Sequence, residues 1–220
     1  MKTSVGFEKW FHRAEDESFP VVFPDGCRDV LIVRRKGEPA KVVFTEFDHR
    51  PRRAALTAGT EITGYRLRPG ACIEPDALDA LALEPEAAAI ILTRALAVAA
   101  EIDEAIMALT KPHASLRRVS ADLGVSPRTL QRRFRHLALP GPDYWRLLAR
   151  ARRAVAMLAL PASLADIAGE CGYSDQAHMT REFARWFGAT PHGVRRNKHL
   201  FRLLSQPALG NWIGEQISTR

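Results

Sequence analysis

The rhythm of hydrophobic and polar positions changes near residue 75. Before it, β-branched and aromatic residues come in short runs separated by turn formers. Residues 19–23, 30–33, 41–47 and 61–67 predict the strands of a small sheet. Pro24-Asp25-Gly26 and Lys36-Gly37-Glu38 supply turns, and Pro69-Gly70 closes the pattern. Beyond residue 75, apolar positions recur at three- and four-residue intervals, the period of an amphipathic helix. A short helix is expected over 76–82. An alanine-rich one should start at Pro85, since proline suits the first helical position, and run to about 100. Another, over 101–109, would place Ile102, Ile106 and Leu109 on one face, and Lys111-Pro112-His113-Ala114 breaks the pattern.

The remaining chain alternates short helices with sharp turns. Ser115, Ser126, Ser163 and Ser174 stand where a helix needs a side-chain oxygen to accept from a free backbone N–H. Ser163 and Asp166 have capping-box spacing. Gly124 sits where a tight turn calls for a positive φ, and Gly172 and Gly188 end the helices before them. A long helix is predicted over 143–159, stopped by Pro161, and Thr190-Pro191 should start a last short helix. Residues 199–220 carry a weaker apolar pattern (Leu200, Phe201, Leu203, Leu204, Leu209, Trp212, Ile213, Ile217), expected as a helical tail packed on another domain or subunit. The fold class is therefore α+β. A β-rich domain over 1–83 and a connecting helix over 84–100 precede an all-α domain over 101–198 and a tail over 199–220.

An internal repeat gives this helical region its meaning. Ser115-Leu116 recurs as Ser163-Leu164, and Gly124-Val125-Ser126 as Gly172-Tyr173-Ser174, both 48 residues on. Leu130, Arg132 and Phe134 recur as Met179, Arg181 and Phe183, 49 residues on, which suggests one residue inserted at the start of the second unit's last helix. Each unit reads as helix, glycine turn, capped helix, the helix-turn-helix layout. Periodicity buries Leu130, Phe134 and Leu137 in the first unit and Met179, Phe183, Trp186 and Phe187 in the second. The opposite faces carry Arg128, Arg132 and Arg135, and Ala177, Arg181, Ala184 and Arg185, with Gln131, Thr129, His178 and Thr180 at the sides and Gln176 in the first turn. Arginine can donate two bonds to guanine and glutamine can pair with adenine in a major groove. The helix between the units, about 25 Å long at 1.5 Å per residue, could hold the two reading helices about one DNA turn apart. Its Arg146, Arg150, Arg152 and Arg153 could face the DNA backbone or simply solvate the helix, the second reading being preferred for any one of them.

Charge supports this partner. The chain carries +7 overall. Residues 111–198 hold 16 Lys and Arg against 6 Asp and Glu, a net of +10, and the rest is mildly acidic. A confined positive field suits a polyanion. Cys27, Cys72 and Cys171 are scattered with no ligand-like spacing, so no structural zinc or other cofactor is expected, and few, unpaired cysteines fit a reducing, cytoplasmic setting. The first residues lack the apolar core of a signal peptide, and the longest apolar stretch, 87–100, is too short to span a bilayer.

Residues 101–196 resemble the AraC/XylS type of DNA-binding domain. The resemblance rests on Gly172-Tyr173-Ser174-Asp175-Gln176 continuing through Arg181, Phe183 and Phe187-Gly188 to Thr190-Pro191. It rests equally on Ser126-Pro127-Arg128-Thr129-Leu130-Gln131-Arg132-Arg133-Phe134. It implies a sequence-specific transcriptional regulator and no enzyme. The DNA-contacting set it implies is Arg128, Gln131, Arg132 and Arg135, with Gln176, Ala177, His178 and Arg181. Ala177 departs from the polar residue usual there and offers only an apolar contact, for example to a thymine methyl. Val194-Arg195 replaces the usual aromatic-arginine pair after the proline. Double-stranded DNA is the implied partner; RNA polymerase, an unidentified small-molecule effector and a second copy of the chain are further candidates, and a membrane is not. Phe23–Val30 and Gly64–Ala71 resemble recurring segments of a small β-rich domain that precedes such regulators. Its Asp25, Arg28, Asp29, Arg66 and Arg68 are open to two roles, a polar-ligand site or, in preference, salt bridges and turn support. Two rival functions compete: a DNA-repair enzyme with a nucleophilic cysteine, for which Cys27 lacks the usual context, and a non-specific nucleoid-type binder.

Overall fold

The computed structural model describes residues 6–97, 99–206 and 208–210. Its N-terminal part is a four-stranded antiparallel sheet in the order β1 (Phe7–Arg13), β6 (Glu61–Leu67), β3 (Asp29–Arg34), β4 (Lys41–Phe44). Central β6 pairs with β1 on one side and β3 on the other, with Tyr65 opposite both Lys9 and Val30. Gly64 is glycine because the Trp10 ring crosses directly over it: a Cβ there would come within 2.1 Å of the indole. From that position Trp10 Nε1 donates to Asp29 Oδ1 at 3.0 Å. A two-stranded ribbon joins β2 (Val21–Val22) to β5 (Arg52–Arg53).

One sheet face is covered by α1 (Pro75–Leu83) and α2 (Ala88–Ala95), which together enclose Val30, Ile32, Tyr65, Leu81, Ala88 and Leu92. The expected helix to residue 100 is corrected here. Pro85 opens a 3-10 turn over Pro85–Ala87, and α2 stops at Ala95. Leu96–Ala97 (β8) then pairs with β7 (Cys72–Ile73) in an antiparallel ladder. A strand pairing with residues more than twenty positions away overrides the helical preference of an alanine-rich run. The strand expected over 41–47 also ends early, at Phe44, and the one over 19–23 shrinks to Val21–Val22.

The helical part comprises α3 (Ala100–Leu109), α4 (Leu116–Asp122), α5 (Pro127–His136), α6 (Pro142–Met157), α7 (Leu164–Glu170), α8 (Gln176–Phe187), α9 (Pro191–Arg196) and α10 (Lys198–Leu204). Its core is one continuous cluster around Trp145, Leu148, Phe134, Phe183 and Trp186. Phe23, Phe47 and Cys72 of the β-rich part pack against that same cluster. The expected helical tail over 199–220 is corrected: only Lys198–Leu204 (α10) is helical among the described residues, and Leu204 and Leu209 are buried in the core of the helical part; Trp212, Ile213 and Ile217 lie outside the described residues. Among the described residues no helix is long and apolar enough to cross a membrane.

Candidate nucleic-acid interface

The first unit is built by three local devices. Ser115 Oγ accepts from Arg118 N at 3.2 Å and starts α4. Gly124 turns the chain at φ +65°. Ser126 Oγ then accepts from Thr129 N at 3.1 Å, and Pro127 occupies the first position of α5. The second unit repeats the sequence of events. Ser163 Oγ accepts from Asp166 N at 3.1 Å, its hydroxyl donating to the Asp166 carboxylate at 2.6 Å, and Gly172 turns at φ +74°. The cap of α8, however, is Asp175 and not Ser174: its Oδ1 accepts from His178 N at 2.6 Å.

This moves the inserted residue. The turn bonds Val125 N to Ser120 O and Tyr173 N to Ala168 O, each 2.9 Å, still match at a displacement of 48. The caps Ser126 and Asp175 are displaced by 49. Ser174 is therefore the extra residue, and it lies in the turn ahead of the helix, not within α8. Its hydroxyl meets His178 Nδ1 at 3.1 Å, and the His178 ring stands edge-on to Tyr173 at 5.3 Å. The Asp175 carboxylate is held below the usual carboxylate range, chiefly by the backbone N–H of His178. Serine offers a neutral oxygen at this end of a helix dipole; aspartate adds a charge of the favourable sign.

With the caps superposed, the two helices match residue for residue. Leu130 and Met179, and Phe134 and Phe183, are the buried pairs. Arg132 and Arg181 occupy the same step, and both are exposed. Arg128 corresponds to exposed Ala177, and exposed Arg135 to Ala184. Gln131 and Gln176 are exposed, whereas His178 is half-buried by the contacts just described. Of the residues expected to face DNA, all but His178 are thus exposed on the outer side of their helices. Among the described residues Arg128, Arg132, Arg135 and Arg181 form no ion pair, while Arg133 is turned back to Glu101 at 2.5 Å.

The arginines of α6 correct the expectation that they solvate the helix. Arg150 stacks over the Tyr173 ring at 4.3 Å, donates to Gly172 O at 3.2 Å and approaches Glu182 at 3.6 Å. Arg153 donates to Thr110 O at the end of α3. Arg152 is buried and donates to Gln206 O at 2.6 Å. Arg146 pairs with Asp143 on its own helix at 2.8 Å. Arg150 therefore ties α6 to the second unit's turn, and Arg153 ties it to the helix that supports the first. Their partners are backbone carbonyls far away in sequence, which no local pattern reveals. The nearest available signal was the run of small neighbours, Ala149, Ala151 and Ala154, all buried.

The charged residues singled out in the β-rich part meet internal partners, although Arg28 Nε, Arg66 Nε and Thr60 Oγ1 are buried without a hydrogen bond among the described residues. Arg66 meets Asp25 at 3.3 Å and Asp29 at 3.6 Å. Burial opposes its charge, but the two carboxylates outweigh that and hold it protonated. Arg28 is buried, donates to Ala71 O at 2.9 Å and lies over the rings of Phe44 and Phe47; Arg68 pairs with Asp103 of α3 at 2.5 Å. Burial pushes the Cys27 thiol well up, with Asp25 adding to it, the opposite of an activated nucleophile. No metal-binding group of residues occurs among the described residues.

A helix-turn-helix domain family matches residues 119–197. Over 84 residues the chain is 43% identical to the HTH-type transcriptional regulator VirS of Mycobacterium tuberculosis (strain H37Rv); the match covers 37% of this chain and 24% of that protein. The chain thus spans about a quarter of that relative's length. A crystal structure of a transcriptional regulator from Chromobacterium violaceum, described as having an AraC-type DNA-binding domain, aligns with a TM-score of 0.40 at 24% identity, over 49% of this chain and 95% of the other. Apo ToxT of Vibrio cholerae aligns with a TM-score of 0.41 at 8% identity, over 89% and 97%.

Proposed function

We propose that this protein, whose residues 119–197 match a helix-turn-helix domain family, is a transcriptional regulator of the AraC type that reads two successive major grooves, one with α5 and one with α8. The observation that carries this reading is the cap-aligned pair Arg132 and Arg181, exposed on two matched helices whose shared scaffold, α6, is pinned to both units. At 1.5 Å per residue α6 is about 24 Å long. With its flanking turns it suits reading heads near one helical repeat of ~34 Å.

The base-reading set is Arg128, Gln131 and Arg132 on α5, with Arg135 near its end, and Gln176, Ala177 and Arg181 on α8. His178, tied to Ser174 and Tyr173, serves best as a support of the α8 N-terminus that can reach a phosphate. The setting is the cytoplasm, where the DNA is. The β-rich part acts as the regulatory unit, with RNA polymerase, a small-molecule effector or a second copy of the chain as the partners that would couple to it. Selection of bound duplexes from a random pool tests the main claim: two conserved blocks about ten base pairs apart are expected. Recovery of duplexes with no enriched motif would overturn it in favour of backbone-only binding.

A further inference from the structure

The chain carries a second concentration of positive charge that the two reading helices do not use. Residues 183–214 contain no Asp or Glu, and Arg195, Arg196, Lys198 and Arg202 fall within the span 195–202. Arg195, Lys198, Phe201 and Arg202 line a cleft of about 640 Å³ whose other wall is Leu158 and Ala159, just beyond the end of α6. Lys198 and Arg202 are exposed and four positions apart on α10, so both project from one face. Among the described residues neither they nor Arg195 forms an ion pair. Like charges at that spacing repel one another unless an anion joins them.

The cleft's place in the fold says which anion. Arg195 Nη2 donates to Ala162 O at 2.9 Å, and its Nε is buried with no partner among the described residues. Ala162 immediately precedes Ser163, the cap of α7. In a helix-turn-helix unit the first helix crosses the DNA backbone. The first helix of the second unit is α7, and Arg195 in the cleft's lining is bonded to the residue just ahead of its cap. We propose that the cleft between α9–α10 and the end of α6 is a docking site for backbone phosphate of the duplex flanking the second unit, outside the bases read by α8. This rests on the DNA-binding reading above and lengthens the footprint it implies. The contact is a point-charge one and carries no sequence information.

The test uses the full chain and two duplexes: one recovered by selection with at least ten flanking base pairs, and the same duplex trimmed at the outer edge of the second block. On the long duplex the Lys198→Ala/Arg202→Ala variant should bind about tenfold more weakly at low salt. The slope of log K against log salt should fall by about 1–2, since each neutralised phosphate contributes close to one. Its preference for the selected over a scrambled duplex should be unchanged, and on the trimmed duplex it should match the wild type. Lys198→Glu should weaken the long-duplex complex further. Equal affinity and slope for wild type and double variant on the long duplex would overturn the inference, including in favour of an acidic protein segment as the true occupant. A wild type that prefers no duplex would instead overturn the base-reading proposal, while the salt slopes would still test the cleft.

Discussion

Arg132 and Arg181 stand six positions into their helices from Ser126 and Asp175, both exposed, and among the described residues neither forms an ion pair, so the donors of each guanidinium stay available. Arg150, Arg152 and Arg153 have the same chemistry and a different fate, because alanines around them let the guanidinium reach carbonyls and a ring inside the protein. Replacing Arg132 or Arg181 with alanine should therefore cost about 1–3 kcal/mol for the selected site and relax the preference at one base position. Competition binding against single-base variants of that site reads this out, and uniform weakening across all of them would mark a phosphate contact instead. Asp175 adds a pH dependence. Its carboxyl titrates below its unfolded value, so its contribution is fully present above about pH 4 and is lost as the pH falls through the lowered folded value. Asp175→Asn, which keeps the cap oxygen, should flatten the acid limb of the melting curve relative to wild type; an unchanged limb would show that the carboxylate charge is not what holds the start of α8.

At the level of elements, much was legible because local chemistry decides it. Gly124, Gly172 and Gly188 all adopt positive φ, and Ser115, Ser126, Ser163 and Thr190 all cap the helices that follow them. Helical periodicity placed Leu130, Phe134, Met179 and Phe183 inside, where each is at most 1% exposed. Leu130→Ala or Phe183→Ala should accordingly cost about 2–5 kcal/mol through the cavity left behind, measured by denaturant unfolding. What escaped the sequence depended on distant partners. Strand β1 was not foreseen because Phe7–Arg13 forms a sheet edge with mixed exposure and no alternation; only its pairing with β6 defines it. The alanine-rich run broke at Leu96 for the same reason. Ser174 and Asp175 compete for the cap in sequence, and an insertion in the turn settled the matter for the second. The exposed faces of α5 and α8 were thus accessible from the helix period, but the contacts that hold the two helices to α6 were not.

At the scale of the molecule, the β-rich part touches the frame of both reading helices. Cys72 lies 3.9 Å from Leu137 O, the carbonyl at the end of α5. Pro51 sits against Gly188, the left-handed residue that ends α8. Between these points Tyr144 on α6 donates to Asp48 O at 3.1 Å, and Phe47 packs edge-on against Tyr144 and Trp145. Leu209 N closes the arrangement on Asp25 O at 2.9 Å. These contacts merge the apolar interior of the helical part with side chains of the β-rich part, so the two should open as one cooperative unit. Hydrogen exchange then gives a sharp expectation: the most protected amides of β6 and α6 should exchange with the same free energy in the wild type. Phe47→Ala removes the ring that joins them and should let β6 exchange more readily while α6 keeps most of its protection. If β6 already opens independently of α6 in the wild type, the two parts are not one cooperative unit, and the β-rich part does not help to fix α5 and α8.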